Sequence, residues 1–226
     1  MRAQLLVLAK EPLPGRAKTR LSPALSPEQA AAVARAALLD TLAAAAAVPV
    51  LRRTVVLDGS PAGWLPDDFA VLPQRSGDLA ARLTGAFQDA HRALDVPMLL
   101  IGMDTPQVTP ALLRDALAAL LGDPAGPDPQ SVLGLAEDGG WWALGLHAPV
   151  AGLFDGVPMS TDLAGRAQQA RLEALHLPHT TLPVLRDIDH VEDVRAVAAL
   201  QPPWSHLAAL VAAMGLPAPG TGRVCA

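Results

Sequence analysis

The chain has 226 residues, the size of one large domain or of a domain with a modest extension, and its formal net charge is −5. Hydrophobic residues make up 51% and charged residues 17%, which fits a globular protein with a sizeable core and argues against disorder. The negative charge disfavours a general nucleic-acid binder, the single Cys225 excludes a disulfide framework, and no apolar run is long enough for a membrane span.

Strand and helix patterns alternate along the chain. Short apolar runs predict strands at residues 4–9, 53–57, 70–72, 97–101, 131–136, 141–146 and 180–185. Apolar residues at helical spacing predict helices at residues 26–46, 79–93, 110–121, 161–175, 189–200 and 204–214. This order predicts an α/β fold with a mostly parallel sheet covered on both faces. A hairpin predicted around residues 137–140 makes the sheet mixed.

Residues 1–200 are predicted to form the main domain. Residues 201–203 interrupt the helical pattern, so residues 201–226 are interpreted as a helical extension followed by a flexible tail. The extension contains Trp204, which is suited to cover an interface, and a homodimer is therefore one open expectation. The cysteine content favours a reducing, cytoplasmic compartment.

In open α/β sheets, ligands bind beyond the carboxyl ends of the strands. The loop after the first predicted strand is basic, because both lysines among the 17 Lys and Arg residues, Lys10 and Lys18, lie there with Arg16 and Arg20. Lysine offers a compact point charge to phosphate oxygens, and Gly15 permits close backbone approach or a positive φ. We expect these five residues to bind nucleotide phosphates, with Lys18 also catalytic. The alternative is a solvated basic loop.

A carboxylate follows the predicted strand at residues 97–101. Asp104 stands directly after this buried strand, where one or two carboxylates commonly hold Mg²⁺ beside substrate phosphates. We interpret Asp104 as a catalytic metal ligand. The alternative is an Asx-turn residue that stabilises the loop before the next helix.

The hairpin loop carries two acidic residues, two glycines and two tryptophans. Asp-Gly is common in hairpin turns, so a purely structural role is one interpretation. The other is a site for the sugar or acceptor, because aromatic faces stack on such groups. We expect Glu137 or Asp138 to contact the acceptor as a base. The site predicted here comprises Glu137, Asp138, Gly139, Gly140 and Trp141.

The last predicted strand is followed by Asp187, Ile188 and Asp189. Alternation along an extended segment places Asp187 and Asp189 on the same side, so one of them is expected to share the metal with Asp104, and Asp187 is slightly preferred. Asp189 and Glu192 also have capping-box spacing, so Asp189 is alternatively the start of the last helix of the main domain.

A weaker feature is the turn at Gly77 and Asp78. It is interpreted either as a loop for the nucleotide base or as an ordinary helix N-cap, and Arg82 stands one turn further on.

Five segments carry a family resemblance: LAKEPLPGRAKTRLSPALSPEQAA, QRSGDLAARL, IGMDTP, LAEDGGWWALGL and DIDHVEDV. They resemble a bacterial glycosyltransferase family of the radical-SAM/selenodomain-associated or arsenosugar-biosynthesis type, within the nucleotide-diphospho-sugar transferase superfamily. The first segment is also similar to the opening of the 2-phospholactate guanylyltransferases. The resemblance covers roughly residues 4–200.

The resemblance implies a GT-A type fold, a Rossmann-like αβα three-layer sandwich with a mixed sheet. It also implies that the first loop holds a nucleotide and that Asp104 holds Mg²⁺ or Mn²⁺ with Asp187 or Asp189. The chain departs from the family pattern in three places, which bear on the acceptor more than on nucleotide binding. Trp141 replaces a tyrosine, residues 190–191 replace Thr-Pro, and residues 80–81 replace Gly-Glu.

We therefore expect a metal-dependent glycosyltransferase with a nucleotide-sugar donor and a small-molecule acceptor, without nucleic-acid or membrane partners. One alternative is a nucleotidyltransferase that joins the nucleotide of a triphosphate to a phosphorylated small molecule. An alternative of another class is a nucleotide-binding protein without turnover.

Overall fold

The computed structural model describes residues 1–61, 63–122 and 131–216. Within these ranges one sheet contains seven strands: β1 (Gln4–Lys10), β2 (Arg52–Asp58), β3 (Ala70–Pro73), β4 (Met98–Gly102), β5 (Ser131–Ala136), β6 (Trp141–Leu146) and β7 (His179–Leu185). Their order across the sheet is β3-β2-β1-β4-β6-β5-β7. Only β6 runs antiparallel to its neighbours in this described sheet, so the predicted mixed, mostly parallel sheet is confirmed.

The helices of the described ranges are α1 (Pro27–Ala46), α2 (Leu79–Ala93), α3 (Pro110–Leu121), α4 (Ala164–Ala174), α5 (Val191–Ala199) and α6 (His206–Ala213). A short 3₁₀ turn (Thr19–Leu21) precedes α1. The predicted capping box at the start of α1 is present, because the Ser26 hydroxyl accepts from the Gln29 amide and the Gln29 side chain accepts from the Ser26 amide.

The two faces of the sheet are covered by different helices, which produces three layers. Successive strand residues point to opposite faces. On one face, Leu5 packs in a cluster with Leu42 of α1 and Leu117 of α3. On the other face, Leu6 packs with Leu83 of α2, in a cluster that extends to α4. The predicted αβα sandwich is confirmed, and the strands read as apolar runs because both of their sides are buried.

Three helices begin two or more residues later than predicted, and one of them is α6, predicted from residue 204, which begins at His206 after its N-cap Ser205. The helix predicted from residue 161 begins at Ala164, because Ser160 has a positive φ of 62° and the Thr161 hydroxyl accepts from the Leu163 amide in a turn. Such a turn satisfies the backbone locally and delays the helix.

The helix predicted from residue 189 begins at Val191. The residue that caps it is Asp193, whose carboxylate accepts from the amides of Asp189 and His190 at 3.2 and 2.7 Å. The alternative in which Asp189 pairs with Glu192 to start this helix is therefore wrong. The Asp189 carboxylate does not cap α5 and instead pairs with Lys18 and Arg20.

The extension after residue 200 packs on the main body as far as it is described. Leu207 of α6 is fully buried in a third cluster with residues of α1 and α5. The buried Asp40 of α1 accepts from the amides of His206 and Leu207 at 2.8 and 2.9 Å, which satisfies the first amides of α6. Trp204 is 84% exposed, and the homodimer stays a prediction. The predicted flexible tail, with Cys225, lies outside the described residues.

Among the described residues, none of the helices combines the length and the apolar run needed to cross a membrane.

Candidate active site at the carboxyl edge of the sheet

A cleft of about 380 Å³ opens beyond the carboxyl ends of the parallel strands. All four loops singled out in the sequence contribute to its wall, because β1, β4, β5 and β7 point the same way and end at one edge. The lining residues from these loops are Lys10, Arg20, Asp104, Asp138, Gly140, Trp141, Asp187 and Asp189.

A backbone hydrogen bond ties the loop after β4 to the loop after β7. The Ile188 amide donates to the Asp104 carbonyl at 3.0 Å, and the Ile188 side chain is fully buried in the third hydrophobic cluster. Because side chains alternate along an extended segment, Asp187 and Asp189 turn away from that cluster and line the cleft. Burial of one isoleucine therefore orients two carboxylates.

Three carboxylates converge in the cleft. Asp138, Asp187 and Asp189 each offer an oxygen within 4.8 Å of the others. Oxygens that share one Mg²⁺ at about 2.1 Å lie at most about 4 Å apart, so a small side-chain rotation would complete such a site. Asp104, predicted as the principal metal ligand, stands outside this trio, and Asp138, predicted to face the acceptor, stands inside it.

Lys18 bridges two of the aspartates. Its Nζ donates to Asp104 Oδ2 at 2.8 Å and to Asp189 Oδ1 at 3.4 Å, and its side chain is only 10% exposed. Burial lowers the pKa of this ammonium, but the nearby aspartates, with Asp104 foremost, outweigh burial and raise it. Lys18 also has left-handed backbone angles, φ 51° and ψ 42°, which are uncommon outside glycine and often mark functional positions. The predicted phosphate-binding lysine thus contacts carboxylates here.

The ionised form of Asp187 is disfavoured by its surroundings. Burial is the largest cause that raises its pKa, and neighbouring carboxylates raise it further, to about 7. These carboxylates belong to Asp104, Asp138 and Asp189. Crowded acids disfavour one another's charged forms, so a cation placed among them would be stabilised.

The other members of the first loop divide into two groups. Arg20 lines the cleft and pairs with Asp189 at 2.5 Å. Lys10 also lines it, and its Nζ lies 3.7 Å from Asp58. Arg16 lies 3.6 Å from the same Asp58 and does not line the cleft. Gly15 has φ 73° with open space around it, in keeping with the positive φ considered for it.

The hairpin loop separates its two acids. Glu137 is bound to Arg186 at 2.6 Å on the surface, whereas Asp138 lines the cleft and accepts from the Gly140 amide at 2.8 Å in a tight turn. Gly139 has φ 88°, and a Cβ there would lie 2.0 Å from a backbone oxygen of the segment before α4. The glycines are thus explained by turn geometry, and Asp138 is the acid that faces the cleft.

The two tryptophans have different environments. Trp141 lines the cleft and stacks on Phe154, with ring centroids 6.4 Å apart and an interplanar angle of 11°. Trp142 is 2% exposed, and its indole nitrogen donates to the Pro183 carbonyl at 3.0 Å. Trp142 also borders the cleft but belongs to the core, so Trp141 is the better placed of the two to offer an aromatic face to a ligand.

Two polar residues that line the cleft, Gln74 and Arg82, have no function predicted from the sequence. Gln74 follows β3 directly, and Arg82 lies one turn into α2. Ligands bind beyond the carboxyl ends of parallel strands, and this rule applies to the end of β3 as it does to β1 and β4. The polar Gln74 directly after β3 could therefore have been predicted as a site residue. The Asp78 carboxylate accepts from the Ala81 amide and caps α2, and neither Gly77 nor Asp78 lines the cleft.

A second cavity of about 480 Å³ adjoins the cleft. It shares Asp138, Asp187 and Asp189 with the cleft. Six carboxylates line it, against the two arginines Arg20 and Arg186: those of Glu137, Asp138, Asp162, Asp187, Asp189 and Asp193. This opening is therefore strongly acidic.

Solved structures share this fold. The chain is 23% identical to a candidate nucleotide-diphospho-sugar transferase from Desulfovibrio desulfuricans G20, covering 95% of this chain and 96% of that one with a TM-score of 0.83. Rv0371c from Mycobacterium tuberculosis H37Rv, solved in complex with manganese, is 20% identical over 87% and 97% of the chains, with a TM-score of 0.50. The 2-C-methyl-D-erythritol 4-phosphate cytidylyltransferase from Thermus thermophilus is 18% identical over 88% and 98%, with a TM-score of 0.51.

At these identities, the likenesses establish the fold. Comparison with curated proteins found no match. A family model described as "Uncharacterized protein conserved in bacteria (DUF2064)" matches residues 31–161, which is more than half of the chain, and the chain therefore belongs to this family.

Proposed function

We propose that the chain is a metal-dependent transferase that uses a nucleotide-sugar donor and moves the glycosyl group to a small-molecule acceptor. The observation that carries the proposal is the convergence of four aspartates, two of them bridged by Lys18, in one cleft at the carboxyl edge of the sheet. The neighbours with this fold include a candidate nucleotide-diphospho-sugar transferase and a cytidylyltransferase, which supports a nucleotide donor.

The metal would be Mg²⁺ or Mn²⁺, held by Asp187 and Asp189 together with Asp104 or Asp138. The oxygen donors and their spacing fit a hard divalent cation, and the solved manganese complex of a protein with this fold supports the choice. Bound there, the cation would neutralise charge on the diphosphate that leaves.

The basic side chains would hold the phosphates of the donor. Lys10 and Arg20 line the same cleft as the aspartates, and Lys18 contacts Asp104 and Asp189. Once a metal neutralises the carboxylates, the Lys18 ammonium is free to turn toward a phosphate oxygen. Gly15 and Arg16 would contribute from the loop that precedes Lys18, whereas Gly77 and Asp78 lie outside the cleft lining and are given no phosphate contact.

The acceptor would enter through the acidic cavity. Asp138 lies where this cavity meets the cleft, and Glu137 is engaged by Arg186, so Asp138 is the better base. Asp138 would take the proton of an acceptor hydroxyl as its oxygen attacks the sugar carbon, while the bond from that carbon to the diphosphate breaks. Gly139, Gly140 and Trp141 would shape the sugar site.

Electrostatics favour glycosyl over nucleotidyl transfer. A nucleotidyltransferase would bring a phosphorylated acceptor to the metal, and the carboxylates of the second cavity would repel that phosphate. A hydroxyl acceptor is neutral and donates hydrogen bonds to carboxylates. Nucleotidyl transfer is the second candidate, supported by the cationic side chains of Lys10, Lys18 and Arg20 and by the cytidylyltransferase that shares the fold.

The test is a turnover assay with Mn²⁺ or Mg²⁺, a panel of nucleotide sugars and hydroxylated acceptors, in which the released nucleoside diphosphate and the glycosylated product are measured by mass spectrometry. We expect release that requires metal and is abolished in Asp187→Asn. Pyrophosphate release from a triphosphate with a phosphorylated acceptor would instead support nucleotidyl transfer. Metal-dependent nucleotide binding without any product would favour the protein without turnover.

A further inference from the structure

Arg82 is a cation in the cleft, and no carboxylate of the described ranges pairs with it. Its side chain is half-buried and lines the cleft, and its Nη1 donates to the side-chain oxygen of Gln74 at 3.2 Å. Its Nε is buried and has no hydrogen-bond partner within the described ranges. No carboxylate oxygen of these ranges lies within 4 Å of the guanidinium nitrogens. Arg20, the other arginine of the cleft, is bound to Asp189. Arg82 thus keeps most of its donors for a ligand.

Gln74 holds the Arg82 guanidinium in place. The Gln74 amide nitrogen donates to the carbonyls of Ala9 and Val56 at 2.8 and 3.0 Å. Because both partners are acceptors, the amide cannot flip, and its oxygen must face Arg82. The guanidinium is therefore positioned by the backbones of β1 and β2 rather than by a flexible contact.

The surroundings of Arg82 suit a nucleobase. Leu8, Leu79 and Leu83 line this end of the cleft, and apolar side chains pack well on a planar ring. Gln74 contacts β1 and β2, whereas the aspartates stand on the loops after β4, β5 and β7. From β2 to β4 is two strand spacings, about 10 Å, which is the order of length that separates a base from the phosphates of its nucleotide.

We propose that Arg82 selects the base of the donor nucleotide. An arginine offers only donors, so it matches a base edge with two neighbouring acceptors, as on guanine or cytosine. Adenine and uracil present a donor within or beside the corresponding edge and leave an Arg82 donor without a partner. The inference rests on the proposed function, and it adds the class of base, with Gln74 as the positioning residue.

The experiment measures dissociation constants of the whole chain for four nucleoside diphosphates in the presence of Mn²⁺, by calorimetry. All four share the same phosphates, so differences report the base. We expect GDP or CDP to bind about tenfold more tightly than ADP and UDP, and the comparison of GDP with CDP identifies the base. Arg82→Ala should remove this difference. Arg82→Gln should shift the preference toward ADP, because glutamine offers one donor and one acceptor to adenine.

The matched control is Arg92→Gln, on the exposed side of the same helix, which should bind as the wild type does. A wild-type preference for ADP or UDP would overturn the proposal, and this measurement needs no variant to fold. An equal loss for all four nucleotides in Arg82→Ala would also overturn it, because Arg82 would then contact phosphate, yet the proposed function would stand. Absence of binding by every nucleotide would overturn both.

Discussion

The ammonium of Lys18 lies 2.8 Å from the Asp104 carboxylate, although 86 residues separate the two in the sequence. The same ammonium reaches Asp189 at 3.4 Å, so one nearly buried cation joins the loops after β1, β4 and β7. Without a metal, Lys18 is the charge that balances these acids. With a metal bound, the metal ion and the Lys18 ammonium would repel each other, which would favour a contact of Lys18 with phosphate instead of with the aspartates.

Lys18→Met is expected to have opposite effects on metal and on nucleotide. Loss of the ammonium removes a competitor from the aspartates, so Mn²⁺ alone should bind more tightly, while a nucleoside diphosphate with Mn²⁺ should bind more weakly. The metal-free protein should lose about 2 kcal/mol of unfolding free energy, since charged hydrogen bonds are broken. Calorimetry and urea unfolding measure these changes. Arg35→Met, on the exposed surface of α1, is the control, and weaker Mn²⁺ binding in Lys18→Met would contradict the expectation.

Asp187 should make the metal-free protein less stable as the pH rises. Burial and neighbouring carboxylates raise its pKa in the folded chain to about 7, from 3.8. The folded state then holds more protons than the unfolded state between these values, so stability falls from about pH 4 until the pH exceeds 7.

Asp187→Asn should therefore raise the melting temperature of the metal-free protein at pH 8 more than at pH 4, and should abolish stabilisation by Mn²⁺. Thermal unfolding at both pH values measures this difference. Asp115→Asn, at an exposed position of α3, should show neither effect. An equal rise of the melting temperature at both pH values would mean that ionisation of Asp187 does not destabilise the folded chain.

Asp138→Asn separates two roles of one carboxylate. If Asp138 acts as the base, the variant should keep metal-dependent binding of the donor and lose turnover by a factor of about 100 or more. If it is instead the third metal ligand, Mn²⁺ affinity should fall with turnover. Glu137→Gln is the matched control, because Glu137 is bound to Arg186 and should leave turnover within a few-fold. Unchanged turnover in Asp138→Asn would exclude both roles.

Asp40 should anchor the C-terminal helix. It is 8% exposed, and its two oxygens accept from the amides of His206 and Leu207. Asp40→Ala leaves both amides without a partner and should lower the unfolding free energy by about 2 kcal/mol, whereas Asp40→Asn keeps one acceptor and should cost less. Urea unfolding measures both variants. Asp67→Asn, at an exposed position, is the control, and a loss no larger than in this control would show that α6 contributes little to stability.

The sequence by itself determined the elements and the edge of the sheet where chemistry is concentrated. The apolar runs from β1 to β7 are local signals, and the capping box at Ser26 and Gln29 depends on neighbours three residues apart. The carboxyl-edge rule needs only the strand order along the chain, which is why the loops with Lys10, Asp104 and Asp187 were found.

Tertiary structure decided which side chains meet. Sequence spacing does not reveal that Asp138 joins Asp187 and Asp189 in one cluster of carboxylates, because that depends on how β6 is inserted between β4 and β5. It does not show that Trp142 is core while Trp141 faces the cleft, since the twist and neighbours of the strand decide burial.

The pairing of Lys18 with Asp104 also depends on long-range packing, because three loops converge only when the sheet is assembled. Local sequence specifies backbone conformation through hydrogen bonds and sterics within a few residues. Charge interactions act through space, so the balance of cations and carboxylates at this edge is a property of the fold and not of any one segment.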